Sequence, residues 1–224
     1  MSDMPEAILF DAGGTLVLQH PEALEARLGI PVDPDLAFQA HYITMSEFSD
    51  LRQSGKEATW DWWLERYFER LGHPRPADAG AAIQRGYGFW TWPIPGVAEA
   101  VREMRDAGVR VAVVSNSDGS VEESLGKAGF DGLFEFTLDS ALVGSKKPEA
   151  RIFEIALERL GLDRKSVWYV GDSAFHDIAG AAAAGLGRGV LVDPLGLSSL
   201  DAVPSVADLP RLLDTGLALG GGAA

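Results

Sequence analysis

Apolar residues in this chain come as short unbroken runs in some places and at helical spacing in others, and the alternation of the two rhythms predicts its architecture. Ala7-Ile8-Leu9-Phe10 is a run that ends at Asp11 and Gly13-Gly14, the pattern of a buried strand running into a turn. From Leu16 to Trp92 the spacing turns helical: Ala23, Leu24 and Leu28, then Trp60, Trp63, Leu64, Tyr67, Phe68 and Leu71, fall on apolar stripes, and no strand is expected there. Pro93-Ile94-Pro95-Gly96 punctuates the chain. Beyond it Val97, Val101 and Met104 mark a helix that closes at Gly108, and Val109 to Val114 reads as a second buried strand.

Strand and helix alternate from there on. Ser120 with Glu123 has the spacing of a capping box for a helix through Gly126, and Phe134 to Leu138 reads as a strand. Pro148 suits the first turn of a helix carrying Ile152, Ile155, Ala156 and Leu160. Val167 to Val170 is a further strand, Ala179 to Ala184 a helix stopped by Gly185, and Val190 to Val192 a last strand. Such alternation predicts an α/β fold, a Rossmann-like parallel sheet with helices on both faces. The division expected is an α/β core over 1–15 and 93–215, an inserted α-helical cap over 16–92, and a flexible tail over 216–224 ending in Gly220-Gly221-Gly222.

Composition narrows the function classes. With 224 residues, 46% of them hydrophobic, the chain has ample apolar surface for a core. Met1 to Glu6 lacks the basic and apolar segments of a signal peptide, and no stretch reaches the roughly 18 apolar residues of a membrane helix, so a cytoplasmic address and no membrane contact are expected. Cysteine is absent, which removes disulfides and thiolate metal sites. A formal net charge of -14 repels nucleic acid phosphates and anionic lipid, so neither is expected as a partner. The same field opposes a phosphorylated small molecule unless a cation is focused at its site.

Ligands of doubly wound sheets gather beyond the carboxyl ends of the strands. Asp11, Ser115 and Asp172 each follow an apolar strand directly, and Lys147 and Asp177 lie in loops or helix starts able to face the same crevice. Clustered carboxylates repel one another unless a hard divalent cation sits among them, and oxygen donors without Cys or His point to Mg²⁺. Phe10-Asp11-Ala12-Gly13-Gly14-Thr15-Leu16, then Ser115-Asn116, then Lys147-Pro148, then Gly171-Asp172-Ser173-Ala174-Phe175-His176-Asp177, resemble in order and spacing the four motifs of the haloacid dehalogenase (HAD) superfamily over nearly the whole chain. The resemblance implies that Asp11 is a nucleophile and that Thr15, Ser115, Asn116 and Lys147 hold the transferred anion. It further implies Mg²⁺ held by Asp11, the backbone carbonyl of Gly13, Asp172 and Asp177. The expected activity is hydrolysis of a small phosphorylated metabolite through an aspartyl-phosphate.

One residue departs from the phosphatase pattern. Where phosphatases of the superfamily carry a second aspartate that protonates the leaving group, this chain has Gly13, and such acid/base help is worth about 10²- to 10⁴-fold. Asp118 and His176 are candidate substitutes, and Gly13→Asp is the expected way to restore the acid. Three alternatives stay open: a weakly catalytic or non-catalytic binding protein, a phosphonate-cleaving hydrolase, and a dehalogenase. The phosphonate-cleaving members use a cap lysine, and Lys56 reads as an exposed turn residue; the dehalogenases lose Gly-Asp in the fourth motif and place a tyrosine near position 153, where this chain has Asp172 and Phe153. The tryptophans of 60–63 and 90–92 read as packing, with Trp90 or Trp92 able to reach a cleft. His20, His41 and His73, too scattered for a metal cluster, read as surface residues.

Overall fold

In the computed structural model, which describes residues 4–29, 31–77, 79 and 89–215, the parallel strands assemble in the order β5-β4-β1-β6-β7-β8. They are β1 (Ala7–Phe10), β4 (Arg110–Ser115), β5 (Thr137–Asp139), β6 (Val167–Gly171), β7 (Arg188–Val192) and β8 (Ala202–Val203). β8, with two residues, carried no readable run, and the tail expected at 216–224 lies outside the described residues.

Side-chain alternation explains why the apolar runs are unbroken. Ile8 and Phe10 point to one face with Val111, Val113, Trp168 and Val170, where Val97, Val101 and Met104 of helix α4 (Val97–Asp106) cover them. Ala7 and Leu9 point to the other with Ala112, Val114, Val167 and Tyr169, under Ile152, Phe153 and Ala156 of helix α7 (Ala150–Leu160). A strand buried on both faces has no polar side to show.

The described residues between 16 and 92 are largely helical, with one correction. Val17–Gln19 (β2) and Trp90–Pro93 (β3) pair antiparallel, so the chain leaves and returns through a two-stranded ribbon. At three and four residues these strands are too short to show a period. Between them lie α1 (Pro21–Leu28), α2 (Pro34–Gln53) and α3 (Trp60–Arg70). Asp33 caps α2 by accepting from the backbone N–H groups of Asp35 and Leu36, and Thr59 caps α3 by accepting from that of Trp62. Their facing sides bury Ala37, Ala40, Phe48, Trp63, Leu64, Tyr67 and Phe68 in a second core separate from the sheet.

The helix after Ser120 (α5, Val121–Leu125) is present without the predicted capping box: the Ser120 hydroxyl donates to Asp118 Oδ1 at 2.6 Å. The N-terminal cap comes instead from across the sheet edge, where Asp139 Oδ2 accepts from the N–H groups of Gly119 and Val121. The segment after β6 is also looser than expected. Ala174–Ala179 winds as a wide π-type turn before a short helix, α8 (Gly180–Ala183), as such segments often do beside functional sites.

Candidate active site

Strand register brings the predicted residues together. Phe10 is level with Val113 on one side and Val170 on the other, so Asp11, Ser115 and Asp172 emerge at the same carboxyl edge of three adjacent strands. Lys147 is the cation that enters among them, buried to 2% exposure while its neighbour Lys146 is exposed. Its Nζ lies 2.8 Å from Asp11 Oδ1 and 2.7 Å from Asp177 Oδ1, and donates at 2.8 Å to the hydroxyl of Tyr169. That hydroxyl in turn donates to the Val114 carbonyl, so Tyr169 locks the ammonium to the sheet. Asn116 fixes the backbone on either side of the side chain, donating to the Lys147 carbonyl and accepting from the Lys147 N–H.

The acids are equally constrained. The Ala12 N–H donates to Asp11 Oδ1 at 2.7 Å, and the Ser173 N–H donates to Asp177 Oδ2 at 2.9 Å. Asp11, Asp172 and Asp177 each offer a carboxylate oxygen, the three lying within 4.8 Å of one another. Burial pushes the carboxyl pKa of all three up against the pull of their partners: Lys147 for Asp11 and Asp177, His41 for Asp172. Lys147 itself is pulled down by burial, yet Asp11 and Asp177 outweigh that and raise it. One buried ammonium does not balance three clustered carboxylates, and the group's hard oxygen donors suit Mg²⁺.

His41 corrects the surface assignment. It is fully buried on α2, and its Nε2 lies 2.8 Å from Asp172 Oδ2 while the Gln19 amide reaches its Nδ1 at 3.4 Å. Tyr42 beside it donates to the Gly14 carbonyl at 2.9 Å. Gly14 has φ 70, and a side chain there would collide with Asp172 and His41, so only glycine fits. His41 and Tyr42 were legible only as continuations of the stripe through Ala37 and Ala40, a core reading that a lone histidine does not suggest.

Gly13 is occupied from outside. A Cβ there would lie 2.8 Å from the ring of Trp90, which β3 places opposite Gln19. The ring stands where an acid side chain would begin. Of the proposed substitutes, His176 and Asp118 both line the cavity at the sheet edge. Burial, with Lys147, Arg52 and Lys146, drives the His176 imidazole down to about 3. Asp118 is exposed and accepts from Ser120.

The cavity has a volume of about 660 Å³. Asp11, Gly13, Ser115, Asn116, Lys147 and Asp172 line its floor, and Trp60, Trp63 and Trp90 stand among its walls. Thr15, expected to hold the anion, is fully buried and is not among the residues lining the cavity, its hydroxyl without a hydrogen-bond partner among the described residues, and Lys56 is exposed.

A sheet of this order with an aspartate, a buried lysine and two further acids at its carboxyl edge defines a class, and residues 5–185 match the haloacid dehalogenase-like hydrolase family. The chain belongs to that family and is a hydrolase. It is 30% identical over 225 residues to the human haloacid dehalogenase-like hydrolase domain-containing protein 3, covering 92% of this chain and 90% of that protein. It is also 30% identical to the ribulose-1,5-bisphosphate 5-phosphatase of Halopiger xanaduensis, over 85% of this chain and 86% of that one. Among solved structures, the HAD hydrolase YfnB of Bacillus subtilis superposes with a TM-score of 0.70 at 20% identity, over 95% of this chain and 100% of that one, a likeness of fold. No helix among the described residues is long and apolar enough to cross a membrane.

Proposed function

We propose that the chain is a Mg²⁺-dependent phosphoric monoester hydrolase that acts on a small phosphorylated metabolite through an aspartyl-phosphate on Asp11. The observation that carries this reading is the Lys147 ammonium held between Asp11 and Asp177, with Asp172 beside them. The phosphatase names among its relatives and the magnesium bound to YfnB support it.

Asp11 is held for attack. Lys147 and the Ala12 N–H both take Oδ1, which leaves Oδ2 as the oxygen that meets phosphorus. Lys147 and the Ser115 hydroxyl bind the phosphoryl oxygens, and Lys147 pulls the Asp11 pKa down against the burial that raises it. Asn116 acts through its grip on the Lys147 backbone. Asp11, Asp172, Asp177 and the Gly13 carbonyl would hold Mg²⁺, whose charge would offset that of the transferring group. Residues 16–92 form the cap that shields the reaction from bulk water.

Asp11→Asn tests the reading with p-nitrophenyl phosphate and Mg²⁺. The variant should lose at least about 10³-fold in kcat while remaining folded by circular dichroism; equal rates in variant and parent end the proposal. The position of Trp90 against Gly13 favours a second reading, a weakly catalytic member that binds a metabolite in the same cavity. Tight binding of a phosphorylated ligand without its turnover would select it.

A further inference from the structure

Resting on that phosphatase reading, the charges inside the cavity say what its substrates carry besides the phosphoryl group. Three cations line the cavity: Lys147, Lys146 and Arg52, the last from the final turn of α2. Lys147 is committed, held by Asp11 and Asp177. Arg52 and Lys146 form no ion pair among the described residues, either with those acids or with any other carboxylate. Several arginines elsewhere are spent on carboxylates, as Arg70 is on Glu47, Arg110 on Glu135 and Arg188 on Asp201.

Arg52 is nonetheless held where it stands. Its guanidinium lies 4.8 Å from the centre of the Phe175 ring, and Ser49, on the same helix, accepts from the Phe175 N–H at 3.4 Å and meets the Ser173 hydroxyl at 3.2 Å. A cation of the helical insertion is thereby fixed beside the loop that carries Asp172 and Asp177. A guanidinium stacked on a ring keeps its in-plane N–H groups for another partner, and those of Arg52 have no acceptor among the described residues. His176, whose ring also lines the cavity, lies in the field of all three cations, so the three charges act on one region. Asp118 lines the same cavity, but its carboxylate is occupied by its own turn, accepting from the Ser120 N–H and hydroxyl.

In a chain of net charge -14, uncommitted cations gathered in a cavity mark where negative charge is received. The scissile phosphoryl group already has Lys147, the Ser115 hydroxyl and the divalent ion of the proposed reaction. Two further cations that stand off the acids exceed its needs. A cavity of about 660 Å³ also exceeds a phosphate and has room for an organic body beyond it. We infer that the substrates are phosphate monoesters carrying a second compact oxyanion, a carboxylate or a further phosphate, to which the Arg52 guanidinium and the Lys146 ammonium donate. Both cations pair with either kind of oxyanion, the guanidinium through two parallel N–H bonds. Arg52 and Lys146 are then specificity residues: they bind the end of the substrate that does not react.

The test uses substrates paired to differ in the second anion: 3-phosphoglycerate against glycerol 3-phosphate for a carboxylate, and fructose 1,6-bisphosphate against fructose 6-phosphate for a phosphate. Each is assayed with Mg²⁺ in the full chain, with Asp11→Asn as the blank. In at least one pair the second anion should raise kcat/KM about 10-fold or more, and the pair that responds identifies the oxyanion. Arg52→Gln and Lys146→Gln should each raise KM for the doubly anionic member about 3- to 30-fold, with kcat and the KM of its counterpart within about 2-fold of the parent. Arg52→Lys should recover part of the loss. Lys127→Gln removes an equal charge from an ion pair with Glu123 outside the cavity and should leave the preference intact. Calorimetric titration of Asp11→Asn with each pair in the presence of Mg²⁺ reads the same contrast without turnover. Asp11-dependent release that is equal within both pairs, or that falls equally for both members in Arg52→Gln and Lys146→Gln, overturns the second-anion site and leaves the phosphatase reading standing. Absence of release from every ester, with the calorimetric preference intact, overturns the phosphatase reading and keeps the site. Absence of both overturns both.

Discussion

The sheet edge and the helical segment each contribute to one cavity, but they place their residues by different means. At the sheet edge, backbone register does the placing: adjacent parallel strands end level, and Asp11, Ser115 and Asp172 follow from where each strand stops. In the helical segment, packing does it. His41, Trp63 and Trp90 reach the site because α2, α3 and β3 bury one another's faces. Register is rigid and tied to chemistry that tolerates little change, whereas a packed wall changes shape with any side chain in it. The edge therefore defines the reaction and the wall defines what is admitted to it.

The sharpest way to break this division is Lys147→Met, which keeps much of the side-chain volume and removes the charge. Asp11 and Asp177 would remain buried without their ammonium. Turnover should fall by roughly 10³-fold, and unfolding in urea without Mg²⁺ should show a loss of about 3–5 kcal/mol. A variant that kept both rate and stability would show that the edge does not depend on its only buried ammonium among the described residues. His41→Ala probes the joint between the two regions. It removes the partner of Asp172 Oδ2 and opens space beside Trp63, so stability without Mg²⁺ should fall by about 2–3 kcal/mol. Added Mg²⁺ should raise the Tm of this variant more than that of the parent, because the freed oxygen becomes available to the ion. Identical Tm increments would show that His41 does not compete for Asp172.

The same contrast explains what the sequence makes legible. Strand runs, their alternation with helices and the residues at their ends follow from local rules, so Asp11, Ser115, Lys147, Asp172 and Asp177 could be named from the chain alone, and the structure gathers them. Lys147 could be chosen over Lys146 only through the neighbouring proline motif, and of the two it is Lys147 that is buried. Tyr169 went unread because a tyrosine inside an apolar strand looks like core until its hydroxyl is seen beside Lys147. His41 is misread from the sequence as a surface residue, and Trp90 is read as able to reach a cleft but not as a neighbour of Gly13, for a deeper reason. Each acts on a residue far away in sequence, Asp172 and Gly13 respectively, and no local spacing encodes which helix face or ribbon strand meets which loop. The short strands β2 and β3 belong to the same class, since their pairing joins residues 17–19 to 90–93, far apart in the chain.

Gly13→Asp gives the smallest expected effect and the most telling one. Read from sequence, the substitution restores a missing acid and should raise turnover. The structure reverses that expectation, because the first side-chain carbon would press on Trp90 at 2.8 Å and the carboxyl has to be accommodated beyond it. Over-packing of this kind should cost roughly 1–2 kcal/mol, with no gain in kcat on either aryl or alkyl phosphates. Trp90→Ala in the same chain removes the obstruction, and the double variant should then hydrolyse alkyl phosphates faster than Gly13→Asp alone, by as much as about 10²-fold if the new carboxyl reaches the leaving oxygen. A double-mutant cycle on kcat for glycerol 3-phosphate measures this coupling directly. Strong coupling would establish that a ring from the ribbon dictates which acid the sheet edge is able to carry. Additive effects, or a gain from Gly13→Asp alone, would return the choice of leaving group to the edge.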